Sequence, residues 1–261
     1  MRRLRKGLQC VKNRELNFPG IKSVVVLGDN GCRPPTKEGI VAFSRILKIK
    51  TDLFIIVGDI VLNGEDKQFR KLFKFFKGKT KAPIYALGGN HDLPGYAKFC
   101  GRSTYAIILD KFGFICLDDS KRKFEKKDVV FLERELKKHK EKKFFVLFHI
   151  PPPLKFNQSH IEYAEWEKVR KVLDKYRKRI VCIFCGHIHA FLDYLLDGYR
   201  IFISGGGGAT LFNLKEDHLK AHHALRLSSL DEGKVKLNII PVKKKIREVK
   251  IVSGGKNRRK T

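Results

Sequence analysis

Pro83-Ile84-Tyr85-Ala86-Leu87-Gly88-Gly89-Asn90-His91-Asp92 couples a short apolar run to a glycine pair, and then to three side chains that can bind an ion or carry a proton. Five apolar residues bounded by glycine are too few for a packed helix and read as a buried strand. The same grammar recurs in both directions along the chain. Ser23–Leu27 ends in Gly28-Asp29-Asn30-Gly31, and Leu53–Val57 ends in Gly58-Asp59. Downstream, Phe144–Phe148 ends in His149-Ile150-Pro151-Pro152, and Val181–Cys185 ends in Gly186-His187-Ile188-His189. Further strands are expected at Thr104–Leu109, Phe112–Leu117 and Tyr199–Ile203, and around Leu225 and Leu237.

Helical patterns interleave these runs. Phe69, Leu72, Phe73 and Phe76 fall at i, i+3, i+4 and i+7 and form one apolar stripe; Val129, Leu132 and Leu136 form a second, and Trp166, Val169, Leu173 and Tyr176 a third. These aromatics are expected in the core and not around a cofactor. Strands alternating with amphipathic helices predict a layered α/β fold. In open α/β sheets the carboxyl ends of strands form binding crevices, so loops far apart in sequence can converge there. A lone Gly-Asp usually starts a turn and a lone His is usually a packed or surface residue; the repeated placement at strand ends is what points to a site.

Length and composition bound the rest. The 261 residues, 43% hydrophobic, support one sizeable core, with neither an internal repeat nor a Pro- or Ser-rich linker. The expected organisation is a basic N-terminal extension over 1–20, a domain over 21–242 and a basic tail over 243–261. The N-terminal Lys/Arg residues are not followed by the apolar run of a signal peptide, and no stretch is long enough to span a bilayer. The six cysteines do not cluster as a secreted disulfide framework would, so a cytoplasmic protein is expected. Cys182 and Cys185, three apart in a strand, should point to opposite faces and pack. Lys plus Arg number 56 against 27 Asp plus Glu, a net charge of +29 that would attract polyanions, nucleic acid among them. Basic runs are also ordinary solvated faces, and the tail inflates the count.

Taken together, the Asp29 motif, Gly58-Asp59, Gly89-Asn90-His91-Asp92, His149 and Gly186-His187-Ile188-His189 resemble the calcineurin-like metallophosphoesterase superfamily. The resemblance runs from about Val24 to the late strands and takes in the glycine-rich Ser204–Gly208. It implies two packed mixed β-sheets flanked by helices, and two metal ions that activate a water against a phosphate mono- or diester. By that resemblance Asp59 bridges both ions, Asp29 and His189 complete one site, and Asn90, His149 and His187 hold the other. His91 faces the substrate as general acid, with Asp92 orienting it. Asn30 and His160 are candidate substrate contacts. Mixed oxygen and imidazole donors suit manganese, iron, cobalt, nickel or zinc better than calcium. A nucleic-acid-directed phosphodiesterase and a non-catalytic binding protein on the same fold are the alternatives.

One position departs from the pattern. Many relatives place a His two residues after the first Asp, where this chain has Gly31; the Tyr that purple acid phosphatases place three residues after the bridging Asp is here Leu62. The site of Asp29 and His189 is therefore expected to lack a donor, with Cys32 the nearest candidate substitute. His218, His222 and His223 follow the glycine-rich loop and could line a pocket or a solvated turn.

Overall fold

The apolar runs pair as the strand pattern requires. The computed structural model describes residues 6–31, 36–155, 158–216, 219–243 and 247–249. Along the chain it contains β1 (Gly7–Leu8), β2 (Glu15–Asn17), β3 (Val24–Leu27), α1 (Lys37–Ile46), β4 (Leu53–Val57), α2 (Asp66–Phe76), β5 (Pro83–Leu87) and α3 (Tyr96–Cys100). There follow β6 (Tyr105–Ile108), β7 (Phe112–Cys116), α4 (Lys126–Lys138), β8 (Lys143–Leu147), α5 (Tyr163–Lys175), β9 (Ile180–Cys185), β10 (Phe191–Leu196), β11 (Tyr199–Ser204), β12 (His223–Ser228), β13 (Lys236–Pro241) and β14 (Arg247–Val249). Two mixed sheets result, ordered β1-β5-β4-β3-β12-β13-β14 and β10-β11-β9-β8-β7-β6-β2.

Both faces of the central strands are covered, which is why they read as unbroken apolar runs and not as alternating ones. Val24 and Val26 of β3 enter the core between the sheets, where Phe114, Phe145 and Phe184 of the second sheet also lie. Val25 and Leu27 face the other way, onto Phe43 of α1 and Phe69 and Phe76 of α2. On the outer face of the second sheet, Phe131 and Leu132 of α4 and Trp166 and Val169 of α5 close a third cluster. Burial of each such ring is worth roughly 2–3 kcal/mol. Cys182 joins the core between the sheets and Cys185 the outer cluster, as the spacing within one strand requires.

The first sheet draws its edge pairing from outside the central segment. β1 pairs parallel to β5, β2 pairs parallel to β6 in the second sheet, and β14 pairs with β13. The segment 21–242 thus receives strands from both flanks. Gly7–Leu8 and Glu15–Asn17 are too short to announce themselves as strands. β10 is likewise absent from the expected strands, although the Asp197-Gly198 hairpin signal stands between it and β11. Both turn residues adopt positive φ, 50° and 81°. The expected basic tail 243–261 lies largely outside the described residues.

Candidate metal centre

Five loops leave the carboxyl ends of β3, β4, β5, β8 and β9 and are stitched to one another by backbone hydrogen bonds. The Asp29 N–H donates to the Gly58 carbonyl at 3.1 Å, the Gly31 N–H to Asp59 at 3.0 Å, and the Gly186 N–H to His149 at 2.9 Å. Across the sheets the Gly28 N–H donates to the Ser204 carbonyl at 2.8 Å and the His187 N–H to the Asp29 carboxylate, so both sheets deliver their loops to one place. Asp29, Asp59 and His187 all hold left-handed backbone, φ 59°, 53° and 67°. Asp and His tolerate this region better than most residues, and strain of this kind concentrates at functional sites. Gly89 has to be glycine: a Cβ there would lie 2.2 Å from Asp59 Oδ1.

Two donor sets form. Ligand atoms of Asp59, His149 and His187 lie within 4.8 Å of one another, as do those of Asp29, Asp59 and His189. Asp59 belongs to both. Its Oδ1 accepts from the His91 N–H at 3.0 Å, while its Oδ2 is buried without a hydrogen bond, 3.2 Å from His149 Nε2. Asn90 joins the first set, its Oδ1 3.2 Å from the same His149 nitrogen. A buried, orphaned carboxylate oxygen shared by two nitrogen- and oxygen-rich clusters fits a pair of bound cations.

Carbonyl partners fix the imidazoles. His149 Nδ1 donates to Val57 at 2.8 Å, and His189 Nδ1 donates to Thr210 at 2.9 Å. Each leaves Nε2 facing the carboxylates, as ligating histidines are commonly held. The electrostatics show a demand for positive charge. Burial raises Asp29 well above the ordinary carboxylate range, and Asp59 adds to it against the pull of His149. Burial also works to raise Asp59, but the His149 charge and the His91 amide hold it below that range. For His149 burial opposes the charge, yet Asp59, Asp29 and Asp119 outweigh it and lift the imidazole to about 10. His187 is pushed down to about 3 by burial and by His149.

The remaining expectations fare differently. His91 Nδ1 donates to the Leu62 carbonyl at 2.9 Å, so Leu62, and not Asp92, orients the ring. Asp92 is fully buried and accepts from the amides of Ile60, Val61 and Gly89 at 2.8–2.9 Å. It locks the Asn90 turn to the Asp59 loop, and burial raises it to about 7. Asn30 is 6% exposed, donates to the Ile60 carbonyl and lines a mainly apolar cavity of about 310 Å³ with Gly31 and Leu62. The half-buried His160 donates from Nδ1 to the Ile161 carbonyl, and its own carbonyl receives Arg122. A Cβ on Gly31 would meet the Ile60 carbonyl at 2.0 Å, so no side chain replaces the absent imidazole there. Cys32 and His218 lie outside the described residues. His223 is buried and packs its ring edge-on to Phe191, whereas His222 lines a separate cavity of about 640 Å³.

Asp119 and Arg122 escaped the sequence reading. Asp119 accepts from the His149 and Ile150 amides at 2.8 Å each and so seats the His149 loop. Its signal was present, an acid just past a strand, but Asp118-Asp119-Ser120 reads as a turn. Arg122 places its guanidinium 3.4 Å from His187 Nε2. A third donor group, Glu15, Glu135 and His139, also lies within 4.8 Å, but Lys138 and Arg134 already balance the carboxylates.

Two facing sheets with buried carboxylate and imidazole donors at their strand ends form a candidate metal centre. Residues 22–191 match the family model for calcineurin-like phosphoesterases, and the chain belongs to that family, a class of phosphate-ester hydrolases. It is 30% identical over 162 residues to a protein of Arcobacter nitrofigilis named probable glycerophosphodiester phosphodiesterase GpdQ, over 55% of this chain and 58% of that one. The match thus spans little more than half of that relative. A probable cyclic nucleotide phosphodiesterase of Moraxella catarrhalis is 22% identical over 68% of this chain and 72% of its own. Among solved structures, a dimetal phosphatase from Danio rerio superposes with a TM-score of 0.66 at 11% identity, covering 90% of this chain and 99% of that one, a likeness of fold.

Proposed function

We propose that the chain hydrolyses phosphodiesters at a dinuclear metal site. The observation that carries this is Asp59, shared by both donor sets with a buried oxygen that has no hydrogen bond. Asp29, Asp59 and His189 would hold one ion; Asp59, Asn90, His149 and His187 the other. Bound there, the ions supply Lewis acidity, which acidifies a water and offsets phosphate charge. The protein's own work is positioning and proton handling. Asp119 and Val57 keep His149 in register from its backbone and its Nδ1. His91, held through Nδ1 by Leu62, has Nε2 available to carry the proton that the leaving oxygen takes up. A diester is favoured over a monoester because both curated relatives are named phosphodiesterases.

Purified protein reloaded with manganese should cleave bis(p-nitrophenyl) phosphate faster than p-nitrophenyl phosphate and lose both activities on chelation. Full turnover after exhaustive chelation would end the proposal.

A second reading narrows the substrate to nucleic acid. Beyond the net charge, the cavity of about 640 Å³ is lined by Lys37, Arg45 and Lys220, by Lys243 paired to Glu38 at 2.6 Å, and by Thr210, whose carbonyl holds His189. Binding to single-stranded DNA or RNA should then weaken steeply with salt. The free thiols Cys10, Cys100, Cys116, Cys182 and Cys185 fit a reducing compartment, and a cytoplasmic location is part of the proposal. Among the described residues no helix is long and apolar enough to cross a membrane.

A further inference from the structure

Arg122 stands in the turn that follows β7, its N–H bonded to the Asp119 carbonyl at 2.7 Å. Its φ is 60°, a region that an arginine enters only when its surroundings hold it there. The same short turn contains Asp119, which seats His149, so the backbone that fixes a candidate ligand also aims this side chain.

The guanidinium reaches the mouth of the site. One terminal nitrogen lies 3.4 Å from His187 Nε2 and the other 3.4 Å from the His160 carbonyl. Both contacts are long for hydrogen bonds and easily exchanged. Several other arginines sit against carboxylates, Arg134 on Glu135, Arg170 on Asp174 and Arg200 on Asp193, while Arg102 and Arg179 are held by backbone carbonyls at 2.5–2.9 Å. Arg122 has no carboxylate within ion-pair distance among the described residues, although two acids are close in sequence. Asp119 is occupied by the His149 and Ile150 amides, and Asp118 accepts from Ser120. A cation is thus left beside a metal-type imidazole with two weakly held donors.

A positive group beside a cation-binding cluster is repelled once that cluster is loaded, unless an anion lies between them. The planar fork of a guanidinium matches two oxygens of a phosphate. We infer that Arg122 is a substrate-binding residue that grips a non-bridging oxygen of the phosphate held at the Asp59 cluster, replacing its contacts with His187 and His160 when the substrate enters. This rests on the proposed phosphoesterase reading and adds to it a contact that none of the metal-ligand motifs contains.

The test uses the full chain reloaded with manganese and compares the wild type with Arg122→Lys and Arg122→Gly. Glycine removes the guanidinium and suits positive φ, so this variant keeps the turn. Three quantities are read: metal content by mass spectrometry, binding of orthophosphate by calorimetry, and KM and kcat on bis(p-nitrophenyl) phosphate. The expected result is unchanged metal content, phosphate affinity lower by about tenfold or more in Arg122→Gly, and partial recovery in Arg122→Lys. KM should rise more than kcat falls. Equal phosphate affinity in all three proteins would overturn the inference, as would loss of an ion in Arg122→Gly, which would make Arg122 a support for His187. If the wild type binds phosphate through Arg122 but hydrolyses no ester with any metal, this inference stands and the proposed function falls.

Discussion

Asp59 Oδ2 and His149 Nε2 face each other at 3.2 Å from the ends of strands in different sheets, with the two side chains 1% and 0% exposed. An ion pair this deep costs more in desolvation than it returns unless both partners are otherwise satisfied, and Asp59 Oδ2 is not. Under the proposed function the pair is two halves of a metal site, with the proton on His149 occupying the electrostatic place of a cation.

Asp59→Asn should therefore do more than weaken one site. The shared residue loses its charge toward both ions, and the metal content of purified protein should fall below that of a variant altered at Asp29 alone. Hydrolysis should drop at least about a hundredfold. Two ions retained with unimpaired turnover would show that Asp59 bridges nothing.

The stability of metal-free protein should depend on pH in a defined direction. His149 has its pKa raised to about 10 in the folded state from 6.5, so its charge contributes stability that is complete below about 6.5 and is lost as pH rises through 10. Asp92 and Asp119, raised to about 7 by burial, act in the same sense at lower pH, since the folded state holds their protons longer. His187, lowered to about 3, opposes them only below about 6.5. Thermal melts of stripped protein should thus fall steadily from pH 7 to pH 10. Metal-loaded protein should resist this fall, because metal competes with protons for the same ligands. A melting temperature of stripped protein that rises over that interval would contradict the charge assignment of His149.

Asp119→Ala removes the acceptor for the amides of His149 and Ile150. The metal held with His149 should bind about 10–100-fold more weakly, while the other set is little affected. Competition with a graded series of chelators reads this directly; an unchanged affinity would reduce Asp119 to a loop anchor.

His91→Ala should lower kcat on poor leaving groups by about a hundredfold or more and leave two ions in place, because the ring is held by Leu62 and contributes no atom to either donor set. Esters with acidic leaving groups should suffer less. A uniform loss across leaving groups would remove His91 from proton transfer.

How far the chain discloses all this depends on the range of each interaction. Strands such as Val24–Leu27 are legible because burial on both faces demands apolar residues at every position. The convergence of Asp29, Asp59, His149, His187 and His189 is legible because each stands at the same kind of strand end. β1 and β2 are not legible, since a two- or three-residue strand is defined by its partner and not by its own composition. The role of Asp92 is not legible, since its neighbour in sequence is His91 while two of its hydrogen bonds run to the amides of Ile60 and Val61, about thirty residues away. Arg122 is hidden for a related reason: within Lys121-Arg122-Lys123 nothing marks the middle residue, and only its backbone angle and its reach toward His187 do so.

The two ions should bind with unequal affinity. Asp59, Asn90, His149 and His187 offer four protein donors to one site, whereas Asp29, Asp59 and His189 offer three to the other. Both oxygens of Asp29 also accept from the His187 amide, at 3.0 and 2.9 Å, which draws charge from the poorer site. Gly31 cannot be recruited to close the gap. The amide of Gly31 is bonded to the Asp59 carbonyl, and its absent Cβ would overlap the Ile60 carbonyl at 2.0 Å. Gly31→His should therefore produce a folding defect and not a tighter site, visible as a lowered melting temperature in stripped and loaded protein alike. Calorimetric titration of stripped wild type with manganese should resolve a tight and a weak step, and His189→Ala should abolish the weak one alone. A single step of two equivalent ions would refute the donor count, and a weak step lost with His149→Ala instead would reverse the assignment of the two sites.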